Sequence, residues 1–378
     1  MEHLSKDSRN LDCLRAIAVL AVYVCHLLGP TLGIIQFGVF GHDLIGRAGV
    51  LFFFVHTCLV LLLSLERSPA VSWRLFANFY IRRLFRIYPL SVLAVLALVV
   101  LQIPDMPNST YHWVGRTGLV ANLGLIQNIT HSPDVLGPLW SLPWEVQMYL
   151  ALPALFLLLR RFRTDVVVWL LWSAAFALRF PAWHFHMKSL HLLAYYPCFL
   201  GGAIAFRMAK PERRRLNPAL WPPFILLMGA LFVILTQLLP YQSEAVGGYV
   251  VCALVGAAIP YFRELPEGWF AKLAHWVAKY SYGIYLSHVP IMWLIRGPLA
   301  STPAAIRWTS LAVLSIAVPI GLFHLVEDPL IGVGKRIADH LSSRAQASRS
   351  RAVLDYPPST PAFGTLDPRG QAAGGKVL

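Results

Sequence analysis

The chain has 378 residues, 57% of them hydrophobic and only 13% charged, with a mean hydropathy of +0.59. Soluble domains carry about 25% charged residues, so this composition excludes a soluble enzyme and implies a polytopic membrane protein. The formal charge of +14 at pH 7 reports topology and contact with anionic lipid rather than nucleic-acid binding.

Apolar runs predict an all-α bundle of about ten spans. They lie near 11–29, 48–65, 84–103, 139–159, 165–181, 189–208, 219–239, 245–262, 276–297 and 307–327. The run at 165–181 is short and is ended by Arg179. The first run already reads as a span and lacks an A-x-A-like site, so no cleavable signal peptide is expected. Ten spans put 26 of the 32 Lys and Arg residues on the side of the two termini. Positive residues stay inside, so both termini are expected in the cytoplasm. Removing one span would reverse the later loops and destroy the asymmetry.

The first span carries Arg15 near its start and His26 near its end. Eleven residues make about three helical turns, so both side chains share a face about 16 Å apart. Alone, Arg15 reads as a snorkelling anchor and His26 as an interhelical hydrogen-bonding group. Together on one face inside a membrane they read as functional. The second run contains His56-Thr57, a polar insertion with a mainly structural reading. Arg82, Arg83 and Arg86 follow at the expected cytoplasmic mouth of the third span. Guanidinium forks suit phosphate oxygens, although topology charge explains the same residues.

Residues 104–138 form the one long external connection, rich in Pro, with a weakly apolar stretch at 118–126 that fits a re-entrant or interfacial segment. Its Tyr111, His112 and Trp113 suit either sugar stacking or interfacial anchoring. Next come Trp140, Ser141 and Glu145. The indoles Trp140 and Trp144 fit an interfacial belt, but Glu145 lies one to two turns into an apolar helix. Its depth resembles that of His26, so a Glu145–His26 pair is geometrically open. His184, His186 and His191 are too loosely spaced for a metal site. The five cysteines all fall in apolar runs and read as small core residues, so no metal is expected. In the ninth run, Ser281, Tyr282, Tyr285, Ser287 and His288 make an aromatic, polar face, with His288 a rival base. Glu327-Asp328 near the end of the tenth run is read as structural. From about 338 the chain is read as a disordered cytoplasmic tail, leaving one transmembrane domain over 1–337.

Five segments in order carry a resemblance. They are Leu11-Asp12 through Arg15 to His26, Gly49 to Val55, Arg82 to Pro89, Trp140-Ser141-Leu142 with Glu145, and Ser281 to Leu286 with His288. Taken together, they resemble the membrane acyltransferase 3 family, the O-acetylases of bacterial surface glycans and nodulation factors, over about residues 10–335. The resemblance implies ten core helices, acyl-CoA as co-substrate, and His26 as base with Arg15 as its companion. It also puts the Arg82, Arg83, Arg86 and Tyr88 segment near the donor. There are departures: Thr57-Cys58 stand where Ser-Gly is usual, Trp144-Glu145 replace Glu-Glu or Val-Glu, and Cys13 replaces Gly. A hydrolase domain of the SGNH type is not expected in the residues after the tenth span.

The combined expectation is an inner-membrane O-acyltransferase, with acetyl favoured. Catalysis is assigned to His26, Glu145 and Arg15, and donor binding to Arg82, Arg83, Arg86 and Tyr88. Trp140, Ser141, Tyr285 and His288 are assigned to a glycan or lipid-linked sugar acceptor. Whether transfer is direct or passes through a nucleophile such as His288 or Ser287 stays open. The alternative is a transporter or flippase of a lipid-linked or small anionic solute, but neither repeated halves nor broken helices are found in the sequence.

Overall fold

A computed structural model describes residues 8–34, 36–37, 40–68, 71–184, 194–210, 213, 215–238 and 243–354. Helices dominate, and the described strands form only one antiparallel pair, β1 (Gln36–Phe37) with β2 (Phe40–Gly41). Apolar side chains face outward all around. Leu93, Leu96, Val100, Leu150, Leu170, Leu226 and Val313 are exposed where a water-soluble bundle would present polar groups.

Helix α1 (Arg9–His26) starts where the Ser8 side chain accepts from the Leu11 amide, and it passes into a π-turn at Leu27–Thr31. Helix α2 (His42–Glu66) runs back along it, with Gly46 against Cys25 and Gly49 against the Ala18 carbonyl. It is the central helix and also touches α6 (Leu142–Arg161), α8 (Tyr196–Met208), α9 (Trp221–Leu238) and α10 (Ser243–Ala258). Helix α3 (Trp73–Val100), 28 residues long, is capped by Ser72. It begins about three turns before the expected start at 84, because residues 73–83 contain no Gly or Pro and the cap lies upstream. The arginine cluster is therefore inside the helix, not at its mouth.

The long connection folds back as α4 (Gly115–Gly124) and α5 (Gln127–Thr130), both too short to cross a bilayer. Buried Asn122 organises it, donating to the Gly118 and Pro133 carbonyls and accepting from the Val135 amide. A 3₁₀ turn at Gly137–Ser141 then delivers Ser141 to the start of α6. The remaining helices are α7 (Asp165–His184), α11 (Trp269–Arg296), α12 (Ala304–Leu322) and α13 (Asp328–Leu354). His186 and His191 lie outside the described residues.

Seven helical stretches among the described residues are long and apolar enough to cross a membrane. They correspond to seven of the expected spans. At the other three, the apolar part of α7 is short (Asp165–Leu178), α8 is described over 13 residues, and α11 is long but carries Tyr, Ser and His. Helix α12 continues through a π-segment at Phe323–Glu327 into α13, which runs past residue 338 to Leu354. The expected disordered tail thus begins as helix, since no Pro or Gly interrupts residues 335–356.

Candidate functional site

Helices α1, α2, α3, α6 and α11 enclose a cavity of about 100 Å³ lined by an unusual set of side chains for a membrane bundle. Arg15, Arg83, Arg86, Glu145, His56, Thr57, Tyr149, Ser141, Ser281, Tyr282 and Tyr285 all reach it. Charged groups this far inside an apolar bundle persist when they are paired or when they serve a ligand. Here pairing accounts for Arg86 and leaves Arg83 without an ion pair among the described residues. Arg86 forms an ion pair with Glu327, which is 2% exposed, and its guanidinium lies 5.5 Å from the Tyr282 ring centre. The π-segment that carries Glu327 turns it inward, as π-turns at functional sites often do. Glu145 accepts from the Tyr149 hydroxyl and, at 3.4 Å, from Thr57. Arg15 Nε donates to Ser281 Oγ at 2.7 Å. Arg83 makes no ion pair among the described residues, and its buried Nε has no hydrogen-bond partner there. The cavity therefore has spare positive charge and spare donors, which suits an anion.

Beside this cavity stand the two histidines. His26, in the last turn of α1, meets His288 of α11, with His288 Nε2 3.2 Å from His26 Nδ1. The rings lie edge to face, centroids 4.9 Å apart. Neither histidine lines the cavity. Helix α11 links the two groups, because Ser281, Tyr285 and His288 recur at helical spacing on one face. Tyr285 hydroxyl meets Ser141 Oγ at 2.8 Å and also donates to the Pro138 carbonyl. Its ring centre is 6.2 Å from that of His288. Ser281 thus holds Arg15 while His288 holds His26, a counterpart on α11 to the face shared on α1.

Of the residues expected from the sequence, Arg15, Arg83, Arg86, Glu145, Ser141 and Tyr285 come together in the cavity, and His26 and His288 pair next to it. The expected Glu145–His26 pairing is replaced: Glu145 bonds Tyr149 and Thr57, one turn along its own helix and across to α2, while His26 finds its partner on α11. Arg82 points away and pairs with Asp339 at 2.8 Å. Tyr88 donates to the Gly124 carbonyl at 3.1 Å and does not line the cavity. Trp140 also lies off it, packed against Tyr195, with the Arg47 guanidinium 5.8 Å from the indole. Missed by the sequence reading were Tyr149 and Tyr282 as cavity residues, and His56-Thr57 as more than structural. The available signal was spacing: Tyr149 follows Glu145 by four, and Thr57 follows the cavity residues Val50 and Phe53 by seven and four.

A model of the acyltransferase 3 family, described as an acyltransferase domain, matches residues 8–324. The chain belongs to that family. It is a membrane acyltransferase, and the match spans Arg15 through His288, so every cavity residue named above lies within it. No match was found among curated proteins or solved structures.

Proposed function

We propose that this acyltransferase moves an acyl group, acetyl by preference, from acyl-CoA on the cytoplasmic side of the inner membrane to a hydroxyl of a glycan or lipid-linked sugar. The observation that carries the reading is the adjacency of an arginine-rich buried cavity to a histidine pair, joined by one face of α11. Arg83 and Arg86, with Arg15, supply the cationic donors that the phosphates of a coenzyme thioester require. Ser141 and Tyr285 line the cavity, hydrogen-bonded to each other, and Tyr285 stands on the same face of α11 as His288. His26 is the general base. It takes the acceptor hydroxyl proton as the oxygen attacks the thioester carbonyl. A C–O bond forms, the C–S bond breaks, and the imidazolium returns its proton to the departing thiolate sulfur. Glu145, next to Arg15 and Arg83, balances charge in the cavity rather than orienting the base.

The test is transfer of label from [14C]acetyl-CoA to the endogenous acceptors of host membranes. With His26→Ala, the rate is expected to fall by about 10²–10⁴, the contribution typical of a positioned base. An unchanged rate overturns the assignment.

A further inference from the structure

The His26–His288 contact has a direction that follows from its carbonyl neighbours. His288 Nδ1 lies 3.0 Å from the Ile284 carbonyl oxygen, which only accepts, so Nδ1 carries the proton. A neutral imidazole has one donor and one acceptor, so His288 Nε2 bears the lone pair. That nitrogen faces His26 Nδ1 at 3.2 Å. His26 Nδ1 also lies 2.9 Å from the Val22 carbonyl oxygen, again an acceptor. Both neighbours therefore ask the same thing of His26: a proton on Nδ1, shared between them. The lone pair is then on Nε2.

We propose that His288 is the positioning residue for His26, locking it in the Nδ1–H tautomer so that Nε2 acts as the base. The inference rests on the reading of His26 given above and deepens it. It assigns to a histidine the role that a carboxylate fills in a hydrolase triad, with the neutral lone pair accepting where an anion otherwise would. It also removes His288 from two other parts. Both its nitrogens are committed, one to Ile284 and one to His26, so it serves neither as a rival base nor as an acyl-accepting nucleophile. When His26 takes a proton on Nε2, its Nδ1–H bond to His288 and Val22 strengthens, because both now accept from a cation. The buried placement of His288, 2% exposed on α11, keeps this geometry fixed without water.

Two measurements test it. The first needs no turnover: ¹⁵N imidazole shifts of the purified, histidine-labelled protein, with His26 assigned by the loss of its signals in His26→Ala. The expected pattern is a protonated Nδ1 and an unprotonated Nε2; a protonated Nε2 in the neutral ring overturns the proposal. The second compares His288→Phe with His288→Gln in the label-transfer assay. Phe keeps the volume and removes the acceptor, and kcat is expected to fall about 100-fold with the KM for acetyl-CoA within about threefold. Gln offers a carbonyl oxygen close to the position of Nε2, and it is expected to recover kcat to within about tenfold of the parent. Equal losses in the two variants, or a loss in KM alone, overturn the positioning role. Absence of transfer by the parent protein would instead defeat the functional reading, while the shift pattern still decides the tautomer.

Discussion

The two halves of this bundle solve opposite problems. Around α8, α9 and α10, helices meet through small residues and almost no charge. A Cβ at Gly256 would collide with the Gly201 carbonyl, and one at Gly202 with the Val55 carbonyl of α2. Backbones at that separation gain dispersion contacts where lipid offers no hydrophobic drive for association. Around α1, α3, α6 and α11, the helices instead enclose arginines, a carboxylate, tyrosines and a histidine. Helix α2 belongs to both, packing Val55 and Cys58 against the glycines of α8 one way and presenting His56 and Thr57 to the cavity the other. The lesson is that polarity in this chain is concentrated. One half is packed to be rigid so that the other can hold groups that a membrane interior disfavours.

The contrast is broken most severely at Gly256. Gly256→Ala is expected to destabilise the detergent-solubilised protein by about 1–3 kcal/mol or more, the cost of one overpacked core site, read as a sharply lowered thermal midpoint. Gly321→Ala within α12, where an added Cβ meets nothing within 4 Å, is the mid-helix control and is expected to leave the midpoint unchanged or slightly raised. A silent Gly256→Ala would mean that the close helix approach is not what holds that half together.

On the polar side, Arg83→Ala is expected to act on binding. It removes a cavity cation that has no ion pair among the described residues, so KM for acetyl-CoA should rise by about 10-fold or more while kcat stays within severalfold. Arg82→Ala, which loses only a surface pair with Asp339, is expected to leave both parameters near their parent values. Equal effects of the two would remove the distinction between buried and surface arginines.

The smallest effect is expected in the connection outside both halves. Burial raises the Asp134 carboxyl to about 6, aided by Asp105 and opposed by the Gln127 hydrogen bond. A carboxyl with a raised folded pKa holds more protons folded than unfolded, so stability falls as pH rises from about 4 to about 6. Asp134→Asn keeps an oxygen for Gln127 and abolishes that penalty. It is expected to raise the thermal midpoint slightly at pH 7.5 and to match the parent near pH 4. The opposite sign at pH 7.5 would show that ionised Asp134 is stabilised where it lies.

Much of this molecule was legible in the linear chain, for a physical reason. Hydropathy and helical period are local, so the all-α membrane bundle and the shared face of Arg15 and His26 follow from neighbours a few residues apart. The five motif segments likewise pointed to the acyltransferase 3 family before any helix was placed. What tertiary structure alone decided is who meets whom. Arg86 finds Glu327 across 241 residues and His26 finds His288 across 262, separations over which no periodicity carries information. Glu145 was equally plausible as the partner of His26 by depth along its helix. The packing of α11 against α1 placed His288 there instead, because the rotation and contact of two helices are set by the interdigitation of whole faces.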